Sequence, residues 1–192
     1  MLLWACASPA PPATPHAMTH AMPTFNGAAF EPPVDVQPLT FTRAEGGAFT
    51  TADMRGRTSL FFFGYTHCPD VCPFTLADLS QVHRRLGGEA ERVDMYFVTL
   101  DPARDTPERM QTYLSNFAGI TGLIGSDAEL TDAEAAFKVV AERRDTGQGD
   151  YMVDHTAATY LVNAKAQIQL AYPYGTPPDE ILEDVQRLLA AN

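Results

Sequence analysis

Three cysteines in 192 residues are too few for a disulfide scaffold, and a chain of this length can bury a core without one. The odd count leaves at least one thiol that does not pair within the chain. Cations are scarce as well: 13 Lys and Arg face 24 Asp and Glu, a net charge of −11. A general nucleic-acid binder needs clustered basic side chains to neutralise phosphates, so that class is excluded. Adhesion to an anionic membrane surface by charge alone is disfavoured on the same ground. No apolar run approaches the roughly 18 residues of a membrane-spanning helix. What is present, 45 % apolar residues, suits one packed domain with room for a tail.

Proline is concentrated at one end. Eight of the 15 prolines fall within the first 38 residues, where alanine and threonine fill most gaps and no apolar period appears. Such a stretch buries too little surface to offset its ordering entropy, which predicts an extended linker over residues 7–35. The division expected is a Pro/Ala-rich tail over residues 1–35 and a single domain over residues 36–192. At the start, Met1-Leu2-Leu3-Trp4-Ala5-Cys6 resembles the end of a bacterial lipoprotein signal, in which the cysteine carries the lipid. A secretory signal needs a basic leader and an apolar stretch of about 7–15 residues, and the five residues before Cys6 include no cation. The expectation is a clipped or misassigned start with Cys6 as the lipid anchor, with an incidental cysteine as the alternative. Within the tail, His16-Ala17-Met18-Thr19-His20-Ala21-Met22 is a small tandem repeat. Imidazole and thioether are copper ligands, the thioether favouring Cu(I). His16, Met18, His20 and Met22 are therefore candidates for accessory copper capture, against chance repetition in a low-complexity linker.

The remainder alternates. Leu39–Thr42 and Ala48–Thr50 around Glu45-Gly46-Gly47 predict a hairpin. Thr58–Gly64 is a short continuous apolar run, the pattern of a strand buried on both faces. Phe74 to Leu86 carries apolar residues at helical spacing and ends at Gly87-Gly88. Val93–Leu100 is a second inner strand, and Thr106-Pro107 opens a helix presenting Met110, Tyr113, Leu114 and Phe117. Leu123–Gly125 predicts a short strand, and Ser126 and Thr131 offer successive helix starts with Glu three residues on. Residues 142–150, rich in Gly and charge, read as a loop. Strands at Ala158–Asn163 and Gln167–Tyr172 and a final helix after Thr176-Pro177 close the chain. The order predicts an α/β thioredoxin-like sandwich, with a mainly parallel central sheet, an N-terminal hairpin and a C-terminal β-hairpin plus helix.

Chemistry concentrates at Phe63-Gly64-Tyr65-Thr66-His67-Cys68-Pro69-Asp70-Val71-Cys72-Pro73. Pro73 fits a first helical turn, which places Cys72 at or just before a helix N-terminus, where free N–H groups and the dipole stabilise a thiolate. Three intervening residues let the sulfurs either close a disulfide or point together at an ion. Two inert buried thiols are one alternative. A zinc site is another, although structural zinc usually takes four Cys/His ligands and only a distant histidine is at hand. That histidine is His155, in Asp154-His155-Thr156 before a strand. Two thiolates and an imidazole make a soft site suited to Cu(I), and able to hold Cu(II) with one further oxygen. An exposed polar role for His155 stays open. Asp70 and Asp154 are candidate outer acceptors that would orient the ligands. His67 competes as a ligand but adjoins Cys68, and His83 sits on the polar side of a helix beside two arginines.

The cysteine segment, then Thr99-Leu100-Asp101-Pro102-Ala103-Arg104-Asp105-Thr106-Pro107, then Asp154-His155-Thr156 before Tyr160-Leu161 closely resemble the Sco/SenC family. The resemblance runs from about residue 36 to the end, with three motifs in the family's order. It implies a thioredoxin-like fold attached to a membrane and facing the periplasm or its equivalent. It also implies copper held by Cys68, Cys72 and His155, and delivery to, or thiol upkeep of, the CuA centre of cytochrome c oxidase. The subunit carrying CuA is then the expected partner, with a copper donor protein and a thioredoxin-like reductant beside it. A lipidated Cys6 would replace the family's usual anchoring helix. Asp101, Arg104 and Asp105 carry over as residues near the site, either toward the metal or ordering the loop by local ion pairs. The leading expectation is a metallochaperone rather than a turnover enzyme. A thiol–disulfide oxidoreductase that needs no His155 is the rival from another class. A peroxidase is weaker, since no arginine stands near the cysteine loop in sequence.

Overall fold

The computed structural model describes residues 25–147 and 149–191. Its strands are β1 (Ala28–Asp35), β2 (Thr40–Arg43), β3 (Ala48–Thr50), β4 (Thr58–Gly64), β5 (Val93–Thr99), β6 (Ile120–Ile124), β7 (Ala141–Asp145), β8 (Tyr151–His155), β9 (Ala158–Val162) and β10 (Gln167–Pro173). The helices are α1 (Val71–Leu86), α2 (Pro107–Leu114), α3 (Asp127–Phe137) and α4 (Pro178–Ala191). Eight strands form one sheet in the order β1-β10-β9-β4-β5-β6-β2-β3, while β7 and β8 pair only with each other. The inner strands β4, β5 and β6 are parallel, and the flanking strands are antiparallel to their neighbours. This is the thioredoxin-like sandwich expected from the element order.

Every residue of β4 is buried, as its unbroken apolar run requires. Side chains alternate across the strand, so Phe61 and Phe63 both pack tilted against Phe137 of α3. Phe62 and Gly64 face the other way, where Phe62 meets Phe97 and Gly64 meets Cys72 of α1. Each phenyl buried in this way contributes about 1.5–3 kcal/mol. The two faces together fix where β4 ends, and the cysteine loop begins at that end.

Three elements differ from the sequence reading. Residues 28–35, expected in the tail, form β1, which pairs antiparallel with β10. Its prolines are tolerated because β1 is the outermost strand and does not need every N–H for a ladder. Residues 142–145, read as part of a loop, belong to β7, and the loop itself is confined to the connection between β7 and β8. Four of the five β7 side chains are exposed, so this strand lacks the apolar alternation that marks a half-buried one. Thr131 starts no helix. Ser126 caps α3 in a reciprocal box with Glu129, and the Thr131 hydroxyl donates to the Asp127 carbonyl inside it.

Candidate metal centre

The loop from β4 to α1 carries both cysteines. Asp70 is the N-cap of α1, at φ −137° and ψ −82°, and makes no side-chain cap. The helix therefore starts earlier than the sequence suggests, with Cys72 as its second residue, whose N–H has no helical acceptor, and Pro73 as its third, which has no N–H to leave unpaired. Cys72 is fully buried and Cys68 partly so, and both are free thiols. A Cβ built on Gly64 would lie 2.6 Å from Cys72 Sγ and 2.9 Å from a Phe97 ring carbon. Glycine ends the strand because the sulfur occupies the space of a side chain.

His155 is the last residue of β8. Its Nε2 lies 3.7 Å from Cys72 Sγ, and its Nδ1 lies 3.1 Å from the Thr156 carbonyl oxygen. Nδ1–H donates to that carbonyl, which orients the ring so that Nε2 faces the sulfurs. Phe62 and Tyr65 contact the imidazole edge-on, with ring centres 6.2 and 6.1 Å away. The Tyr65 hydroxyl in turn lies 3.8 Å from Met152 Sδ. A surface cleft of about 400 Å³ opens over Cys68, lined by Tyr65, Val71, Met152, His155 and Ala157.

The two thiols have opposite proton affinities. The Cys68 thiol is held down to about 3, chiefly by a hydrogen bond from Cys72, with His155 and the backbone of Asp70 and Cys72 adding to it and burial opposing. The Cys72 thiol is pushed up by the adjacent Cys68 thiolate and by burial. One sulfur is thus an accessible thiolate, and the other holds the shared proton below it.

Behind the site, the loop between β5 and α2 ties its two halves in place. Asp105, fully buried, accepts from Thr66 N–H at 3.0 Å, Thr66 Oγ1 at 2.5 Å and Thr99 Oγ1 at 2.6 Å. It fixes the cysteine loop. Asp101, equally buried, accepts from the Tyr151 hydroxyl at 2.6 Å and from Arg104 Nε. The Arg104 guanidinium lies 3.7 Å above the Tyr151 ring and reaches Asp150 at 2.6 Å. Those contacts fix the ribbon that ends in His155. Local ion pairing is therefore what Asp101 and Arg104 do here, and Thr106 caps α2 as its place before Pro107 suggested.

Of the residues singled out by sequence, the structure brings together Cys68, Cys72 and His155. Asp154 points away, its carboxylate on Arg144 at 2.8 Å, so the Thr156 carbonyl orients the imidazole instead. Asp70 is exposed at the rim of the cleft. His67 Nδ1 lies 3.7 Å from Asp105 rather than turning to the sulfurs. Cys6, His16, Met18, His20 and Met22 lie outside the described residues. Arginines remote in sequence do approach the cysteine loop: Arg109 Nε donates to Thr66 Oγ1 at 3.0 Å, and Arg104 lies 5.8 Å from the Tyr65 ring centre. The Tyr151 clamp carried no sequence signal beyond an aromatic among charges.

Among the described residues no three His, Cys, Asp or Glu side chains are grouped closely enough to hold a metal ion as they stand. The fit of a metal to the Cys72–His155 pair is nonetheless close. First-row metal bonds of about 2.3 Å to sulfur and about 2.0 Å to nitrogen, set about 110–120° apart, give a sulfur–nitrogen distance of ~3.5–3.7 Å, and the 3.7 Å seen falls at the upper end of that range. The Cys68 thiolate stands beside that pair as a third soft donor.

A thioredoxin-like domain with a Cys-x3-Cys loop at the end of its central strand, faced by a histidine from an added ribbon, is a distinct class. The family profile SCO1/SenC matches residues 29–190, and the chain belongs to that family. Human "Protein SCO2 homolog, mitochondrial" is 38% identical over 151 residues, covering 76% of this chain and 56% of its own length. This chain thus spans little more than half of that relative. A solved structure of Bradyrhizobium japonicum ScoI with copper bound is 38% identical, with TM-score 0.76, and covers 81% of this chain and 99% of that one. BsSco, described with a disulfide switch as a member of the Sco family of cytochrome c oxidase assembly proteins, is 25% identical, with TM-score 0.68, over 83% of this chain and 96% of that one. No helix among the described residues is long and apolar enough to cross a membrane.

Proposed function

We propose that this chain is a copper metallochaperone, holding copper through Cys68, Cys72 and His155 and delivering it to the CuA site of a cytochrome c oxidase subunit. The observation that carries this is the 3.7 Å approach of His155 Nε2 to Cys72 Sγ, with the other ring nitrogen engaged by a carbonyl. Copper-bound ScoI and the assembly role stated for BsSco support the choice of metal and partner. Two thiolates and an imidazole favour soft Cu(I), and a further oxygen in the open cleft would complete a Cu(II) site. Transfer then proceeds by ligand exchange. An incoming thiolate displaces the accessible Cys68 first, and the buried Cys72 lets go last. Lipid attachment at Cys6 would hold the domain at the outer face of the cytoplasmic membrane, where the CuA partner is exposed.

The test is copper affinity of the fully reduced chain, followed through the thiolate-to-copper charge-transfer absorption, which reports the core site. Cys72→Ser and His155→Ala should each weaken binding by about 100-fold or more, beyond what loss of an outer-shell partner costs. Unchanged affinity in His155→Ala sinks the three-ligand site.

That outcome would favour a second reading, a thiol–disulfide oxidoreductase that keeps the CuA cysteines reduced. The asymmetry of the pair speaks for it. The Cys68 thiolate attacks a partner disulfide and releases one partner thiolate. Cys72, no longer beside a thiolate once Cys68 is tied up, then loses its proton and attacks Cys68. The partner leaves with both thiols reduced, and Cys68 and Cys72 leave as a disulfide. Reduction of a partner disulfide by His155→Ala at the wild-type rate is the result this reading expects.

A further inference from the structure

Apolar side chains scattered singly over a surface are ordinary, but those of this domain are gathered in one place. Among the described residues, three large apolar side chains stand well out into solvent: Phe74 at 59 % exposure, Val140 at 71 % and Tyr174 at 49 %. The Val140 carbonyl accepts from Thr156 N–H at 2.9 Å, and its N–H donates to Thr156 Oγ1 at 3.1 Å. Tyr174 N–H donates to the Ala157 carbonyl at 2.9 Å. Two of the three are thus strapped to the two residues that follow His155. Phe74 lies on the first turn of α1, two residues after Cys72. It neighbours Val71 along one helix face, and Val71 lines the cleft over Cys68 together with His155 and Ala157. Ala157 also borders a second recess, shared with Thr75, Asp78 and Tyr174. The patch therefore runs from α1 past the metal centre to the end of β10.

Packing of the domain leaves these side chains in water, whereas the chemistry at Cys68 needs a surface around it. A partner sulfur reaches copper, or Cys68 itself, only when the partner covers the cleft, and the residues at its mouth are then buried with it. Charge gives the cover its sign. Asp70 and Asp78 lie one helical turn before and after Phe74 on the same face of α1. Neither carboxylate meets a cation or a hydrogen-bond donor side chain. Asp78 is half-buried, and that burial pushes its carboxyl up. A lysine or arginine of the partner set against these acids would restore what docking takes from them in water. We propose that Phe74, Val140 and Tyr174 form the docking surface for the protein that exchanges sulfur ligands at Cys68. That partner carries an apolar collar around its own cysteines and cations facing Asp70 and Asp78. The inference takes its occupant from the function proposed above, and the occupant is the same whether copper or a disulfide passes. The two aromatic side chains anchor the contact, and the acids steer the encounter.

The probe is the purified CuA-carrying domain of a cytochrome c oxidase, reduced, titrated into the full-length reduced chain with and without Cu(I). Amide resonances should shift over residues 70–78, 139–141, 156–157 and 173–175. Phe74→Ser combined with Val140→Ser and Tyr174→Ser should raise the dissociation constant at least about tenfold. The same triple variant should keep the wild-type thermal midpoint and copper affinity, and should pass copper to a small dithiol at the wild-type rate. Asp78→Asn should slow association about threefold at low salt and leave it unchanged at high salt. Absence of binding, shifts centred on another face, or wild-type affinity in the triple variant overturns the docking surface. Equal slowing toward the small dithiol also overturns it, because the side chains then act on the centre and not on a partner. Binding at this face that passes neither copper nor a disulfide upholds the surface and counts against the proposed function instead.

Discussion

Gly64 shows how much of the site depends on a side chain that is missing. Its φ is ordinary, so the residue is there for space and not for backbone freedom. Its Cα faces Cys72 Sγ and Phe97 on the inner side of the sheet, and an alanine methyl would meet them at 2.6 and 2.9 Å. Neither is the free end of a flexible side chain, so Gly64→Ala must push the sulfur or shift the strand. Overpacking of this kind costs about 1–3 kcal/mol. Chemical denaturation should show that loss, and the displaced Cys72 should lower copper affinity at least tenfold in chelator competition. Wild-type affinity in a destabilised Gly64→Ala protein would mean that the sulfur is not held against β4. The proposed ligands were legible, because Cys-x3-Cys between a buried strand and a helix, and Asp-His-Thr before another strand, are local patterns. The glycine's role was not, since what it makes room for is a residue eight positions on, brought back by the loop.

At the scale of elements, the β7–β8 ribbon is what sequence concealed, and it carries His155. Glu142, Arg143, Arg144 and Asp145 stand exposed on β7, so nothing in their order signals a strand. Cross-strand pairing of Arg144 with Asp154 and register from Ala141↔His155 to Asp145↔Tyr151 hold the ribbon together. β1 was hidden for the opposite reason, since its prolines suggest a linker and only an edge position makes them compatible with a strand. By contrast β4, α1 and α4 bury one face or both against the core, and burial imposes the periodicities from which they were read. Among the ribbon's contacts with the domain is Tyr151, whose hydroxyl bonds Asp101 and whose ring carries Arg104. Tyr151→Phe keeps the ring and removes one bond to a buried carboxylate, which costs about 1.5–3 kcal/mol. Amide exchange over residues 141–155 should quicken more than in β4 or β5, and copper affinity should fall several-fold with all three ligands present. Uniform acceleration across the whole domain would assign Tyr151 to general stability rather than to placing His155.

Across the whole molecule, Asp184 joins the beginning of the domain to its end, from Asn26 and Gly27 to the last helix. It sits fully buried, with two backbone N–H groups, a tyrosine hydroxyl and a guanidinium as donors. Removing the carboxylate strands those donors in a site that water does not reach, so Asp184→Ala should cost about 3–5 kcal/mol. In a domain of this size each kcal/mol lowers the midpoint by ~2–4 °C, a drop large enough to read by calorimetry. Asp184→Asn keeps one carbonyl oxygen for the backbone donors and should recover part of the loss. The proposed metal centre lies at the same end of the sheet but three strands away. Its ligands should therefore keep their copper affinity below the melting transition, while amides of Ala28–Asp35 exchange faster. Loss of copper affinity together with β1 in Asp184→Ala would show instead that the clamp and the centre fold as one unit, and that edge anchoring, rather than β4 and the ribbon, sets the distance between Cys72 and His155.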